Sequence, residues 1–409
     1  MSRLFSPLTL RGTTFPNRAW VAPMCQYSSV DGYPQDWHLV HLGSLARGGS
    51  GLVMQEATAV EPEGRITPSD AGIWDDGQAA AYKRITDFVH GQGAIAGIQI
   101  SHAGRKASTA PPWEGGGYVE PEAGGWQTVA PSPLPFGDWP APRELGADDI
   151  RALVRAFGEA AARALSAGFE VLEIHAAHGY LLHQFLSPLS NHRGDEYGGG
   201  LDGRSRFLVQ VTDAVRAQWP EDRPLFVRFS ATDWADGGWT PEETVELSRH
   251  LVAHGVDLVD VTSGGLVHNA RIEVEPGYQV PFARAVREGA ALPVSAVGLI
   301  TAPEQADQIL VDRSADAIML ARELLRNPTW PLRAAHVLRD DVPWPKQYER
   351  GRPRHRLGTR ELDPRRRGFL SYERSMHQCR LSRTPQRVDA CVARGRPCRH
   401  TAADIRPEP

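Results

Sequence analysis

The sequence predicts an α/β protein folded as a (β/α)8 TIM barrel, with an N-terminal hairpin cap and a Gly/Pro-rich excursion after strand three. Three observations lead there. Eight apolar, strand-like runs alternate with eight amphipathic helical stretches over about 320 residues, the unit count of such a barrel. A doubly wound sheet would usually stop at about five to seven strands and would want a GxGxxG turn after its first; that turn here reads PMCQYS. Finally, the stretch Gly168–Tyr180, GFEVLEIHAAHGY, ends a buried strand in two imidazoles and a phenol. In parallel α/β proteins, that end of a strand carries the chemistry.

In chain order, Leu4–Arg18 reads as a small hairpin with Gly12 at its turn. The predicted strands are Ala19–Met24, Leu52–Glu56, Ile95–Ile100, Val171–His175, Leu225–Phe229, Leu258–Val261, Val294–Val297 and Ala317–Leu320. Helices are predicted near Leu39–Ala46, Ala79–His90, Asp149–Ser166, Arg206–Gln218, Pro241–Ala253, Pro281–Glu288, Pro303–Leu310 and Thr329–Leu338. Thr240 before Pro241 and Thr301 ahead of Pro303 read as helix caps. Thr109–Arg143 holds too many breakers for a helix and reads as an excursion on the catalytic face. Two regions result: a barrel over 1–351 and an Arg-rich tail over 352–409.

Composition narrows the function classes. No apolar run approaches the roughly 18 residues of a membrane span, and MSRLFSPLTL is not a signal peptide, so a soluble cytoplasmic protein is expected. The net charge of −4 hides an asymmetry. Residues 351–409 hold 15 Arg, no Lys and six acids, about +9, which leaves about −13 for the rest. An acidic body without a basic stripe argues against nucleic acid as a partner. Cys25 is alone in the body, which excludes a disulfide framework there. The tail lacks apolar periodicity and reads as disordered.

Period two puts Val171, Glu173 and His175 on one face of their strand. His178 and Tyr180 follow in the loop. Other strand ends repeat the theme: Ala22-Pro23-Met24-Cys25-Gln26-Tyr27, Glu56-Ala57, Gln99 followed by SHAGRK, Arg228, Val297-Gly298 and Ala321-Arg322. Small residues let a flat ligand lie against backbone. Gly298 and Arg322 suit a phosphate at the usual phosphate corner of such barrels. Gln99 suits a polar ring edge, and Arg228 a ring that gains negative charge. A buried Arg228 needs an anion, and Glu173 is the candidate. Lys106 reads either as a solvated loop charge or as a neighbour of the ligand.

The segments PMCQYS, GIQISHAGRK, EIHAAHGYLLHQFLSPLSNHRGDEYGG, VGLI and ARELLRNP resemble the old yellow enzymes, the FMN-dependent ene-reductases. Cys25 and the ending QYERG resemble the bacterial NADPH dehydrogenase branch. The resemblance covers about residues 3–351. It implies FMN at the barrel mouth, NADPH or NADH as reductant, and hydride transfer to the β-carbon of small-molecule activated alkenes. Ala22, Pro23, Met24, Cys25, Ala57, Gln99 and Arg228 would contact the flavin ring, and Gly298, Ala321 and Arg322 the phosphate. His175 and His178 would donate to the substrate's oxygen, Tyr180 would supply the proton, and Tyr27 would contact substrate. The branch also implies a homodimer or dimer of dimers, with Arg350 reaching a neighbour's site along an extended Asp340–Lys346 arm. Three departures stand out: Ala321 replaces the usual Gly, Asp202-Gly203 weakens a helix start, and the tail, the largest, continues past Gly351, near which the family normally ends.

Taken alone, the residues leave other readings open. A His pair three apart also occurs in metal sites, so a barrel metal hydrolase using His175 and His178 is one alternative. A flavin-binding redox sensor with Cys25 as its switch is another. Cys25 has no His partner at motif distance, which favours a modulating contact over a nucleophile. A dienoyl-CoA reductase type would need an iron–sulfur cysteine cluster. The tail spacing Cys379-x11-Cys391-x6-Cys398 does not supply one, and with His400 it is also irregular for zinc.

Overall fold

The computed structural model describes residues 1–353. The expected tail disorder and the irregular Cys379, Cys391, Cys398 and His400 set lie outside the described residues.

A hairpin of β1 (Leu8–Leu10) and β2 (Thr13–Phe15) precedes a closed barrel of eight parallel strands. These are β3 (Ala19–Val21), β4 (Leu52–Ala59), β5 (Ile95–Ser101), β8 (Val171–Ala176), β9 (Leu225–Ser230), β10 (Leu258–Thr262), β11 (Val294–Ala296) and β12 (Ala317–Leu320). They neighbour one another in chain order, and β12 closes on β3. The helices between them are α1 (Asp36–Arg47), α2 (Asp76–Gly91), α3 (Ala147–Ser166), α4 (Leu181–Leu186), α5 (Leu201–Gln218), α6 (Pro241–Val252), α7 (Val280–Ala290) and α8 (Pro303–Val311). Two more, α9 (Arg322–Arg326) and α10 (Trp330–Val337), follow β12. The excursion is non-helical apart from two short 3-10 turns. It is tied down by the two-residue strands β6 (Val129–Ala130) and β7 (Arg143–Glu144).

The period-two pattern divides the core. Leu172 and Ile174 of β8 point outward into the layer between sheet and helices, while Val171 points inward. Inside the barrel, the lowest layer is apolar: Trp20, Leu52, Val171, Phe226, Leu258 and Ala317. One step up the same strand faces stand Glu173, Arg228 and Asp260, all buried. A further step up are His175, Ser230 and Thr262. Strands β8, β9 and β10 therefore run from packing to charge to hydrogen-bonding group along a single face.

The hairpin plugs the apolar end. Phe15, fully buried, lies 4.5 Å from Trp20, which stacks on Phe226 at 5.9 Å. Gly12 sits at the hairpin turn because Asp222 approaches it. The Gly12 amide donates to Asp222 O at 2.8 Å, and an added β-carbon would lie 2.9 Å from that oxygen.

Some local expectations change. Thr240 caps α6 in a reciprocal box with Glu243. Thr301 does not cap α8. Ala302 occupies that position, and the Thr301 carbonyl accepts from Trp330 Nε1 at 2.8 Å. Asp202-Gly203 does not weaken α5, which starts five residues earlier than predicted. Asp202 lies in the first turn, where a carboxylate is favoured. Gly203 fits against Gly198 O, where a β-carbon would come within 2.0 Å. The first barrel strand ends at Val21, so Ala22–Cys25 are loop.

The plug is testable. Phe15→Ala should destabilise the fold by about 3–5 kcal/mol, the usual cost of a large aromatic lost from a core. Urea unfolding measures this, and a loss below about 1 kcal/mol would mean the hairpin is an ornament.

Candidate active site

The reactive cluster forms where β8 ends. His175 is the inward residue of its last turn of pleat, and His178 follows in the loop with φ of +57°. The two imidazoles stand edge to face with ring centres 5.1 Å apart, and Tyr180 meets His175 at the same distance. Gly179 lets this loop press on the loop after β10, since a β-carbon there would lie 2.2 Å from Gly265 O. Two buried devices hold it. His183 accepts from the Gly179 amide at 2.9 Å through Nδ1, and its Nε2 faces Asp233 at 2.9 Å, with both side chains fully buried. Lys106 donates to His178 O and Gly265 O, each at 2.8 Å, and lies 5.2 Å from the Tyr180 ring centre.

Beneath the cluster lies the charge layer. Arg228 pairs with Asp260 at 3.1 Å, not with Glu173 as expected. Strand register explains this. Arg228 stands opposite Asp260 on one side and His175 on the other, while Glu173 stands opposite Phe226. Glu173 instead accepts from Gln99 Nε2 at 2.7 Å. Burial, and then the Asp260 charge, push the Glu173 carboxyl well above the usual carboxylate range, which favours its protonated form. Burial and the Arg228 charge push both His175 and His178 well below the usual imidazole range, so both rings are neutral. Burial raises the Tyr180 phenol, which keeps its proton. His175 Nδ1 is sealed with no hydrogen-bond partner among the described residues. A buried lone pair costs less than a buried orphan N–H, so the ring proton sits on Nε2.

The first loop closes one side of the mouth. Glu56 accepts from the Gln26 amide at 2.7 Å and faces His38 Nε2 at 3.0 Å, which clamps the backbone beside Cys25. Burial raises the Cys25 thiol well above its ordinary value, so it is not a thiolate nucleophile. Cys25 and Tyr180 pack on the same small cluster of Ile66, Ala103 and Ala107. Tyr27, at φ of +48°, meets Trp113 of the excursion at 5.7 Å. Ala22 and Ala57 are buried small residues, and Pro23 and Met24 are half-buried.

A second cleft, of about 160 Å³, adjoins through Thr262 and Gln279 and is lined by Gly298, Ala321 and Arg322. Ordinary ligand pockets start near 300 Å³, so this cleft takes one end of a ligand. Arg322 is exposed, and its charge acts on the neighbouring Tyr278 phenol. Gly298 has φ of +118°, and a β-carbon there would press on Gln279 and Tyr278 at 2.9 and 3.1 Å. The extra β-carbon of Ala321 packs against the barrel's lower cluster. The donor set fits a flavin nucleotide. An exposed guanidinium suits a phosphate, small buried residues suit a flat ring, and Arg228 would place positive charge below such a ring.

Arg350 is not part of this assembly. It is exposed in a 3-10 turn, Lys346–Gly351. Arg47, the last residue of α1, donates to the Tyr348 hydroxyl at 2.5 Å, close to where β4 begins. That is the end of the barrel opposite the mouth. The preceding segment is not a free extended arm either, because buried Asp340 accepts from the Ser2 amide at 3.0 Å. Asp233, His183, Asp260, Thr262 and Gln279 were not anticipated. The alternation in Leu258–Thr262 could have placed Asp260 and Thr262 on the inner face. Nothing local points to Asp233.

A family model described as NADH:flavin oxidoreductase / NADH oxidase matches residues 3–341. An NADPH dehydrogenase of Geobacillus thermodenitrificans is 48% identical over 85% of this chain and 98% of its own. One from Listeria innocua is 48% identical over 86% of this chain and 99% of its own. Among solved structures, morphinone reductase superposes with a TM-score of 0.70 at 29% identity, over 84% of this chain and 91% of its own. Morphinone reductase has also been solved with tetrahydroNAD, and that structure gives a TM-score of 0.69 at 28% identity over 88% and 99% of the two chains.

Burial lowers the Lys106 ammonium from its ordinary 10.5 to about 8. Between those values the folded state binds fewer protons than the unfolded one, so stability rises as pH increases through the window. The gain should be about 1–3 kcal/mol. Urea unfolding of the native protein and of Lys106→Met at about pH 7.5 and about pH 10 isolates it. A difference between the two that does not change with pH would count against the buried ammonium.

Proposed function

The chain belongs to the NADH:flavin oxidoreductase / NADH oxidase family, the family of the old yellow enzymes, and on that premise we propose that it reduces the C=C bond of activated alkenes such as enones, enals and nitroalkenes. It is an FMN-dependent oxidoreductase using NADPH or NADH. The observation that carries the finer reading is the neutral His175–His178–Tyr180 cluster above a buried, ion-paired Arg228. FMN held at this mouth would supply the hydride chemistry that links the reduced nicotinamide to the alkene's β-carbon.

The chain's own residues do the rest. Ala22, Pro23, Met24, Cys25, Ala57 and Gln99 would line the ring, with Arg228 supplying positive charge where the reduced ring becomes anionic. Gly298, Ala321 and Arg322 would hold the phosphate. His175 Nε2–H would donate to the alkene's carbonyl or nitro oxygen, with His178 beside it, so that charge growing on that oxygen is met by a preorganised donor. A protonated Tyr180 would give its proton to the α-carbon, and the nearby Lys106 ammonium would offset the phenolate left behind. Tyr27 would contact the substrate from the opposite wall. The raised Cys25 thiol supports a modulating contact to the ring and speaks against a sensor that relies on a ready thiolate. As a consumer of reduced nicotinamide related to bacterial dehydrogenases, the protein is assigned to the cytoplasm.

Arg350 would act on a neighbouring subunit in a homodimer or dimer of dimers. It is exposed, lies at the wrong end of its own barrel, and adjoins the aromatic anchor Tyr348. Anchors of that kind are enriched at interfaces.

Two experiments test these readings. The purified protein should carry about one FMN, bleach anaerobically with NADPH and recover with cyclohexenone. His175→Ala and His178→Ala should each slow the recovery roughly 10²–10³-fold, and a double variant that recovers at the native rate would refute the site. For Arg350, chains carrying Arg350→Ala are mixed with chains carrying both histidine changes. A mixed dimer regains one intact site, so activity should exceed the mean of the parents. Exchange without recovery would rule out action in trans.

A further inference from the structure

This inference rests on the reading that one site binds the reductant and the alkene in turn. Those two molecules make different demands on the histidines. A nicotinamide carries a carboxamide, which offers both an N–H donor and a carbonyl acceptor. An enone or nitro group offers oxygen acceptors alone. His175 is a donor in either case, because its sealed Nδ1 leaves the proton on Nε2. His178 is placed differently, since its Nε2 lies 3.1 Å from Thr262 Oγ1.

Thr262 is the first link of a buried chain. Its hydroxyl lies 3.2 Å from Gln279 Oε1, and the Ser263 hydroxyl lies 2.7 Å from the same oxygen. The Gln279 amide has one possible orientation. Its Nε2 reaches Val297 O at 3.1 Å, and a backbone carbonyl can only accept, so the oxygen end must face the two hydroxyls. Gln279, Thr262 and Ser263 are 2%, 4% and 8% exposed, which leaves little water to relax these demands.

Two proton arrangements satisfy the chain. In the first, Thr262 donates to Gln279 and accepts from His178 Nε2–H. The neutral ring then presents the Nδ1 lone pair, which suits an amide N–H. In the second, the Thr262 hydroxyl turns and donates to His178 Nε2. The ring proton now sits on Nδ1, which suits an oxygen acceptor, and Gln279 keeps the shorter bond from Ser263. The ring is neutral in both. One proton leaves Nε2 and one arrives at Nδ1 through water at the open mouth, so no charge is created or lost. We propose that Ser263, Gln279 and Thr262 form a relay that switches His178 between acceptor and donor, letting one site accommodate the carboxamide and the alkene's oxygen in succession. Thr262 and Gln279 are thus positioning residues, acting through His178.

The test uses the FMN-loaded full-length chain and reads ligand binding from the flavin spectrum. Benzamide stands for the carboxamide, and 4-hydroxybenzaldehyde as its phenolate stands for the acceptor oxygen. The native protein should bind both. Gln279→Leu frees the Thr262 proton for His178, and Thr262→Val leaves Nε2 without a partner, so both variants favour the Nδ1–H ring. Each should weaken benzamide about fivefold, the worth of one hydrogen bond, while the phenolate binds as well or better. Thr262→Ser keeps the hydroxyl and should match the native protein. Equal weakening of both ligands would mean that the residues merely support the fold, and would overturn the relay.

Side-chain ¹⁵N spectra of the native protein need no variant. His178 should carry its proton on Nε2 with benzamide and on Nδ1 with the phenolate, and one tautomer in both complexes would overturn the relay. Native protein that turns over cyclohexenone but binds neither probe also overturns it, while leaving the ene-reductase reading intact. Native protein with FMN bound and no turnover of any activated alkene removes the reading beneath it.

Discussion

The site depends on one buried ion pair, Arg228 with Asp260. Taking both groups out of water costs several kcal/mol each, and only close contact offsets it. Adjacent strands supply the contact, because the β9–β10 register sets the two residues side by side. Ser295 adds a 2.7 Å hydrogen bond to Asp260. With Asp260 engaged, Glu173 cannot also ionise cheaply, so its protonated form is favoured and it turns to Gln99. The Arg228 charge faces upward and works with burial to keep both histidines neutral. Tyr180, His175 and His178 thus reach the mouth as neutral hydrogen-bonding groups above a fixed cation, an arrangement suited to stabilising an anion that forms during reaction.

The barrel separates stability from chemistry along the length of each strand. The lower interior is apolar and closed by Phe15 of the hairpin, stacked through Trp20 onto Phe226. The upper interior is polar and carries strain that the lower half can support. His178 and Tyr27 both hold positive φ, a costly conformation for residues with side chains. What holds them is not local. His183 of α4 with Asp233, Lys106 with two loop carbonyls, and Glu56 of β4 with the Gln26 amide each tie a mouth loop to another part of the barrel. Loss of any of these links would loosen the mouth without unfolding the barrel beneath it.

The sequence by itself determined the barrel, its eight strands and the residues at its mouth. Each barrel strand is a short apolar run whose alternate residues change character, and that pattern survives folding because a closed parallel sheet buries both faces. Strand cores were therefore legible, as in Ala317–Leu320, while several helix starts were not. The first turn of a helix is decided by contacts such as Gly203 against Gly198, which no periodicity records. The tertiary structure alone decided which charges pair. Glu173 and Asp260 are both inward carboxylates, and only the stagger between neighbouring strands puts the second beside Arg228. It also decided that Tyr348, two residues before Arg350, bonds Arg47 at the far end of its own barrel, and that Thr262 stands between His178 and Gln279, each from a different element. Such contacts join residues tens to hundreds of positions apart, so their geometry exists only once the ring of strands has closed.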